Sequence, residues 1–117
     1  MEYFVHGCDY NPDQWLDRPD ILAEDVRLMK KAGINEVTLG VFAWSAYEKE
    51  EGVYTFDWLD RIMDSMYENG IRVILATPSG ARPVWMAKKY PEVMRTNKDR
   101  VRQLYGDREN QCNSSEL

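Results

Sequence analysis

The stretch AGINEVTLGVF, residues 32–42, joins the end of one structural pattern to the start of another. Upstream of it, from Asp20 onward, Leu22, Val26 and Met29 recur at i, i+4 and i+7, and Ile21, Leu28 and Ala32 widen the stripe. That spacing predicts an amphipathic helix. Gly33 is the expected stop, because glycine takes the left-handed conformation that closes a helix without steric cost. The run EVTLGVF that follows is almost continuously apolar and of strand length. Strands covered by helices on both faces of a parallel sheet read this way.

The same sequence of signals comes again. Asp57 is placed to cap a second helix, in which Leu59, Ile62, Met63, Met66 and Tyr67 fall at i, i+3, i+4, i+7 and i+8. Asn69-Gly70 ends it, and IRVILAT is the next strand. Gly33-Ile34 and Gly70-Ile71 thus hold equivalent places 37 residues apart. Helix, Gly-Ile and strand in repetition is the mark of successive β/α units. Ahead of them, Tyr3 to Val5 predicts a first strand, and HGCDYNPDQW a loop. Behind them, RPVWMAKKYPE predicts a short helix that starts near Pro83 and stops before Pro91.

Three β/α units do not close a sheet. A (β/α)8 barrel takes roughly 250 residues, and this chain has 117. Its strand-to-helix segments are long and rich in Trp, Tyr, Asn and Arg, whereas its helix-to-strand links are a residue or two. Decorated loops at the C-terminal ends of strands are where α/β folds build sites. The expected fold class is therefore α/β: the N-terminal three or so β/α units of a (β/α)8 TIM barrel, incomplete in this chain, with residues 1–117 as one part of a larger barrel.

Composition narrows the partners. A net charge of −5 argues against nucleic acid, whose phosphates need clustered Lys and Arg. No apolar run approaches the roughly 20 residues of a membrane helix, and the start MEYFVHGCDYNPDQW has no basic and then apolar leader. A cytoplasmic chain is expected, with Cys8 and Cys112 reduced. No G-x-G-x-x-G, Walker A or C-x-x-C pattern occurs, and His6 is the single histidine. Dinucleotide, P-loop and complete zinc sites are thereby excluded from these residues alone, and a Ser–His–Asp site would have only His6 to use.

Three constellations could carry chemistry. In CDYNPDQW, Asp9, Asn11 and Gln14 stand among Tyr10 and Trp15, a mixture that suits the hydroxyls and C–H faces of a sugar. The competing account is a capping loop whose Asn and Asp bond the backbone. In FAWSAYEKEEGVYTFDWLD, six aromatic residues crowd between Phe42 and Trp58, either as a sugar platform or as packing for the loop. Glu48, Glu50 and Glu51 form a solvated run there, with Glu48 the best candidate to face inward. In TPSGARPVWMAKKYPEV, Pro78, Gly80 and Pro83 fix the backbone path, and Arg82 faces a ligand or pairs with a surface carboxylate.

With these in order, YNPDQW, EDVRLMKKAGINEVTLGVFAWSAYEKEEGVYTFDWLD, NGIRVILATPSGARPVWMAKKYPEV and GDRENQC together resemble the N-terminus of glycoside hydrolase family 42 β-galactosidases. The resemblance implies a retaining hydrolase of terminal β-D-galactosides that works with two glutamates roughly 5–5.5 Å apart. It places both glutamates, after strands four and seven, beyond Leu117, so no residue here is assigned as catalytic. It implies that Arg108, four residues before Cys112, contacts the galactose, its guanidinium fork bonding two hydroxyl oxygens. It implies that Cys112 is the first of four cysteines of a structural zinc site, the other three lying outside this chain, with no cofactor for catalysis. The resemblance also implies that Trp44 and Asn11 line or support the subsite, and that the parent enzyme is a homotrimer. Two rival readings stand beside this one: a small non-catalytic α/β module binding carbohydrate or protein, and another barrel glycosidase of the same clan.

Overall fold

The computed structural model describes residues 4–94 and 96–102. The chain divides into two compact units, one made of the residues up to Gly40 with Phe56–Ala76, the other of Val41–Thr55 with the segment from Thr77 onward.

The first unit is a three-stranded sheet with helices. Its elements are β1 (Gly7–Tyr10), α1 (Pro19–Ala32) and β2 (Glu36–Leu39), later joined by a helix at Asp57–Glu68 and a strand at Arg72–Leu75. In chain order these last two are α3 and β5, because a helical turn and a hairpin intervene in the second unit. All pairings are parallel, in the order β1-β2-β5, with Gly7, Glu36 and Arg72 on one level and Tyr10, Leu39 and Leu75 three residues on. This is the parallel β/α layout expected from the repeated Gly-Ile signal.

Both helices end by the same device. Gly33 takes φ 76°, and the Ile34 amide reaches back to the Met29 carbonyl at 2.9 Å. Gly70 takes φ 71°, and the Ile71 amide reaches the Met66 carbonyl at 2.9 Å. Carbonyls that the last helical turn leaves open are thus satisfied, and the chain is turned straight into the next strand. Just after the first of these stops, Asn35 ties the strand starts together. Its side chain accepts from the His6 amide at 2.9 Å and donates to the Phe4 carbonyl at 2.7 Å, and its own carbonyl accepts from the Arg72 amide at 2.8 Å.

Burial in β2 follows the strand period of two. Tyr10, Val37 and Leu39 are buried, together with Met29 of α1 and Leu59, Ile62 and Met66 of α3. Glu36 and Thr38 point the other way and are half-buried, and Ile74 and Leu75 of β5 are about half exposed. The burial of β2 therefore alternates instead of covering both faces equally.

Two expectations are corrected here. The first strand among the described residues is Gly7–Tyr10, and it does not include Phe4 or Val5: the segment assigned to a loop is the one that pairs with β2. The N-cap of α3 is Phe56, with Asp57 the first helical residue, where its carboxylate still faces the positive end of the helix.

The second unit carries α2 (Trp44–Tyr47), β3 (Glu48–Glu50), β4 (Val53–Tyr54) and α4 (Val84–Lys89). β3 and β4 form an antiparallel hairpin with an irregularity between Glu48 and Glu50, and Gly52 in its turn takes φ 80°. The short helix expected from RPVWMAKKYPE is α4, with Pro83 as its N-cap. Short 3-10 turns at Pro78–Gly80 and Pro91–Val93 flank it.

Candidate functional site

Glu48 is the centre of the second unit. It is the inward-facing exception in its acidic run, with only 6% of its surface exposed. One turn of helix, α2, separates it from Trp44, so the two side chains lie on one face. The Trp44 indole Nε1 donates to Glu48 Oε2 at 2.8 Å, and the Gly52 amide donates to Oε1 at 2.8 Å. From α4, the Trp85 indole Nε1 donates to the Glu48 carbonyl at 2.9 Å. The amide of Gly52, with the Trp44 indole next, holds the Glu48 carboxyl below its ordinary value of 4.5, and Tyr54 adds a further hydrogen bond. A carboxylate whose oxygens are both engaged and which is ionised at neutral pH is a poor proton donor. It serves to hold other groups.

A second tie joins the hairpin turn to α4. Glu51 accepts from Lys89 and from the Tyr90 hydroxyl, the latter at 2.7 Å, and these partners hold its carboxyl low. Arg82 is buried and donates to the Val93 carbonyl. The expectation for it is a ligand or a surface carboxylate, and the Val93 carbonyl is one partner of its guanidinium.

The polar residues of CDYNPDQW are divided between two places. Tyr10, Asn11, Gln14 and Trp15 line a recess of about 460 Å³ together with Asp25 and Met29 of α1. The Tyr10 hydroxyl donates to Asp25 Oδ2 at 3.1 Å, and burial, with the Asp25 charge second, pushes its pKa up. Asp9 lines a different recess, with Gly7, Glu36 and Thr38. Strand alternation accounts for the split, since neighbours on β1 face opposite sides. In the same segment, Asn11 Oδ1, on that first recess, and Asp13 Oδ1 are buried with no hydrogen-bond partner among the described residues, and burial raises the Asp13 pKa.

Arg108 and Cys112 lie outside the described residues. Cys8 is an exposed free thiol in β1. Among the described residues no three His, Cys, Asp or Glu side chains cluster so as to hold a metal ion, and no helix is long and apolar enough to cross a membrane. The pair of indoles on Glu48 is what sequence reasoning missed. Its one legible signal was the four-residue step from Trp44 to Glu48.

Comparison with known proteins places this arrangement. The family model described as β-galactosidase, glycoside hydrolase 42, matches residues 9–117. β-Galactosidase GalA of Bacillus licheniformis is 64% identical over 111 residues, covering 95% of this chain and 16% of its own length. GanA of Bacillus subtilis is 60% identical over 113 residues, covering 97% and 17%. Among solved structures, a catalytic mutant of Gan42B, a GH42 β-galactosidase from G. stearothermophilus, superposes with a TM-score of 0.86 at 63% identity, over 96% of this chain and 16% of that one. The cold-adapted β-galactosidase of Rahnella sp. R3 does so at 0.86 and 56% identity, with the same coverage. The chain thus spans about a sixth of the length of these relatives. Its parallel β/α units are those of the N-terminal part of a TIM barrel, and the chain belongs to the glycoside hydrolase family 42 β-galactosidases.

Proposed function

We propose that residues 1–117 form the first part of the catalytic domain of a retaining β-galactosidase that hydrolyses terminal, non-reducing β-D-galactosides. One observation carries this reading: at 63% identity, 96% of the chain follows the backbone of a GH42 β-galactosidase with a TM-score of 0.86. The chain supplies one wall of the galactose subsite. Arg108 bonds the sugar hydroxyls, and its fixed charge favours the ionised form of a nearby nucleophilic carboxylate. The two catalytic glutamates come from residues beyond Leu117, so the 117-residue chain alone is inactive. Trp44 and Asn11 support the subsite from the segments after β2 and β1. Cys112 is one of four thiolates of a structural zinc site, the other three supplied from outside these residues, since tetrahedral zinc needs four ligands. The reading carries with it a cytoplasmic, homotrimeric parent enzyme that uses neither nucleic acid nor membrane.

The test joins this chain in frame to the remaining part of the B. licheniformis relative. The joined protein should hydrolyse a chromogenic β-galactoside, and the 117 residues by themselves should not. A joined protein that is folded and inactive, or a pure chain that turns over the substrate, overturns the proposal.

A further inference from the structure

Two tryptophans from separate parts of the chain are fixed by one residue. Trp44 belongs to the segment that follows β2, and Trp85 to the segment that follows β5. Both segments leave the C-terminal ends of parallel strands, where α/β folds assemble their sites. Glu48 holds the first indole through its carboxylate and the second through its main-chain carbonyl, at 2.8 and 2.9 Å.

An indole has a single N–H, in the plane of the ring. Engaging it fixes that plane and leaves the two faces to neighbours or to a ligand. Neither Trp44 nor Trp85 is fully buried. Beside Trp85 lies a recess of about 330 Å³ lined also by Ser45, Lys49, Pro83 and Lys88. Hydroxyl and ammonium groups next to an aromatic ring complement a saccharide, which presents oxygens at its rim and C–H bonds on its faces. Buried carboxylates are expensive to keep unless their hydrogen bonds are made, and Glu48 makes them with groups that set ring orientation.

We propose that Glu48 is a positioning residue of the saccharide site, setting the planes of Trp44 and Trp85 as an aromatic wall against which the sugar is held. This rests on the β-galactosidase reading and deepens it. Glu48 takes no part in proton transfer and touches no reacting atom; it acts through the two indoles.

The experiment uses the chain joined to the remainder of the B. licheniformis relative, with Glu48→Gln, Trp44→Phe and the double variant. Glu48→Gln leaves a single acceptor oxygen for two donors, the Trp44 indole and the Gly52 amide, and Trp44→Phe deletes the indole N–H while keeping an aromatic ring. Each single variant should raise KM for a chromogenic galactoside about five- to tenfold with kcat within about twofold, the signature of lost binding. The double variant should raise KM by less than the product of the two single effects, because both act on the Trp44–Glu48 hydrogen bond. Unchanged KM in folded variants, with only the thermal midpoint lowered, assigns Glu48 a purely structural role and overturns the proposal. If Glu48→Gln does not fold, Trp44→Phe decides alone by the same criterion. An unsubstituted joined protein that is folded but inactive overturns the β-galactosidase reading itself, an outcome distinct from unchanged KM.

Discussion

The Trp85 indole and the Glu48 carbonyl, 37 residues apart in sequence, meet through a hydrogen bond of 2.9 Å. It is a tie between a helix and a hairpin that have no covalent reason to be close. Trp85→Phe keeps an aromatic ring in place of the larger indole and deletes the N–H, leaving a partly buried carbonyl without this donor. The expected cost is about 1 kcal/mol, read as a lower denaturation midpoint with an unchanged slope.

Acid should act through Glu48. Its folded-state pKa lies below the ordinary 4.5, first through the Gly52 amide and then through Trp44. Such a group contributes stability that is complete above the unfolded-state value and fades as pH falls through the lower, folded-state value. Thermal midpoints between pH 6 and pH 3 should therefore fall, and part of that fall should vanish in Glu48→Gln. A slope identical in both proteins would contradict the assignment.

Gly80 owes its place to close approach. A Cβ there would stand 2.8 Å from the Val41 carbonyl oxygen and 2.9 Å from the Phe42 ring. The Gly80 amide also donates to that carbonyl at 3.1 Å, so the backbone cannot back away without losing the bond. Gly80→Ala should destabilise the protein by about 1–3 kcal/mol, the usual range for overpacking, as measured by urea denaturation of the joined protein.

Arg108→Lys tests the proposed galactose contact. Lysine keeps the charge but not the planar fork that reaches two hydroxyls. A fall of about 10- to 100-fold in kcat/KM is expected, in line with the loss of a hydrogen bond from a charged group, with the thermal midpoint little changed. Equal kcat/KM in the two proteins would remove Arg108 from the site.

Legibility in the sequence tracked how local each determinant is. The two helix stops at Gly33 and Gly70, the helices before them and the centres of β2 and β5 were readable, because periodicity and a left-handed glycine are properties of neighbouring residues. β1 was misplaced because Gly7 and Asp9 look like turn residues, and only Tyr10 of the strand is buried. Its identity as a strand comes from pairing with β2 across 29 residues. The hairpin escaped notice for a like reason. Glu48-Lys49-Glu50 has little strand preference, and the turn is held by the Glu48 carboxylate on the Gly52 amide. The inward turn of Glu48 was legible. Its link to Trp85, and the burial of Arg82, depend on segments brought together only by folding.

The interleaving of the two units has a consequence for synthesis. The hairpin is made early, but the indole that fastens it to α4 is encoded 37 residues later. At roughly 5–20 residues per second, the hairpin waits about 2–7 seconds on the ribosome before Trp85 has even been added. Through that interval its acidic strand has Trp44, Gly52 and the pairing with β4 to hold it, while the sheet strand β5 is laid down between the two halves of the tie. Slow codons between Glu48 and Trp85 would lengthen that wait.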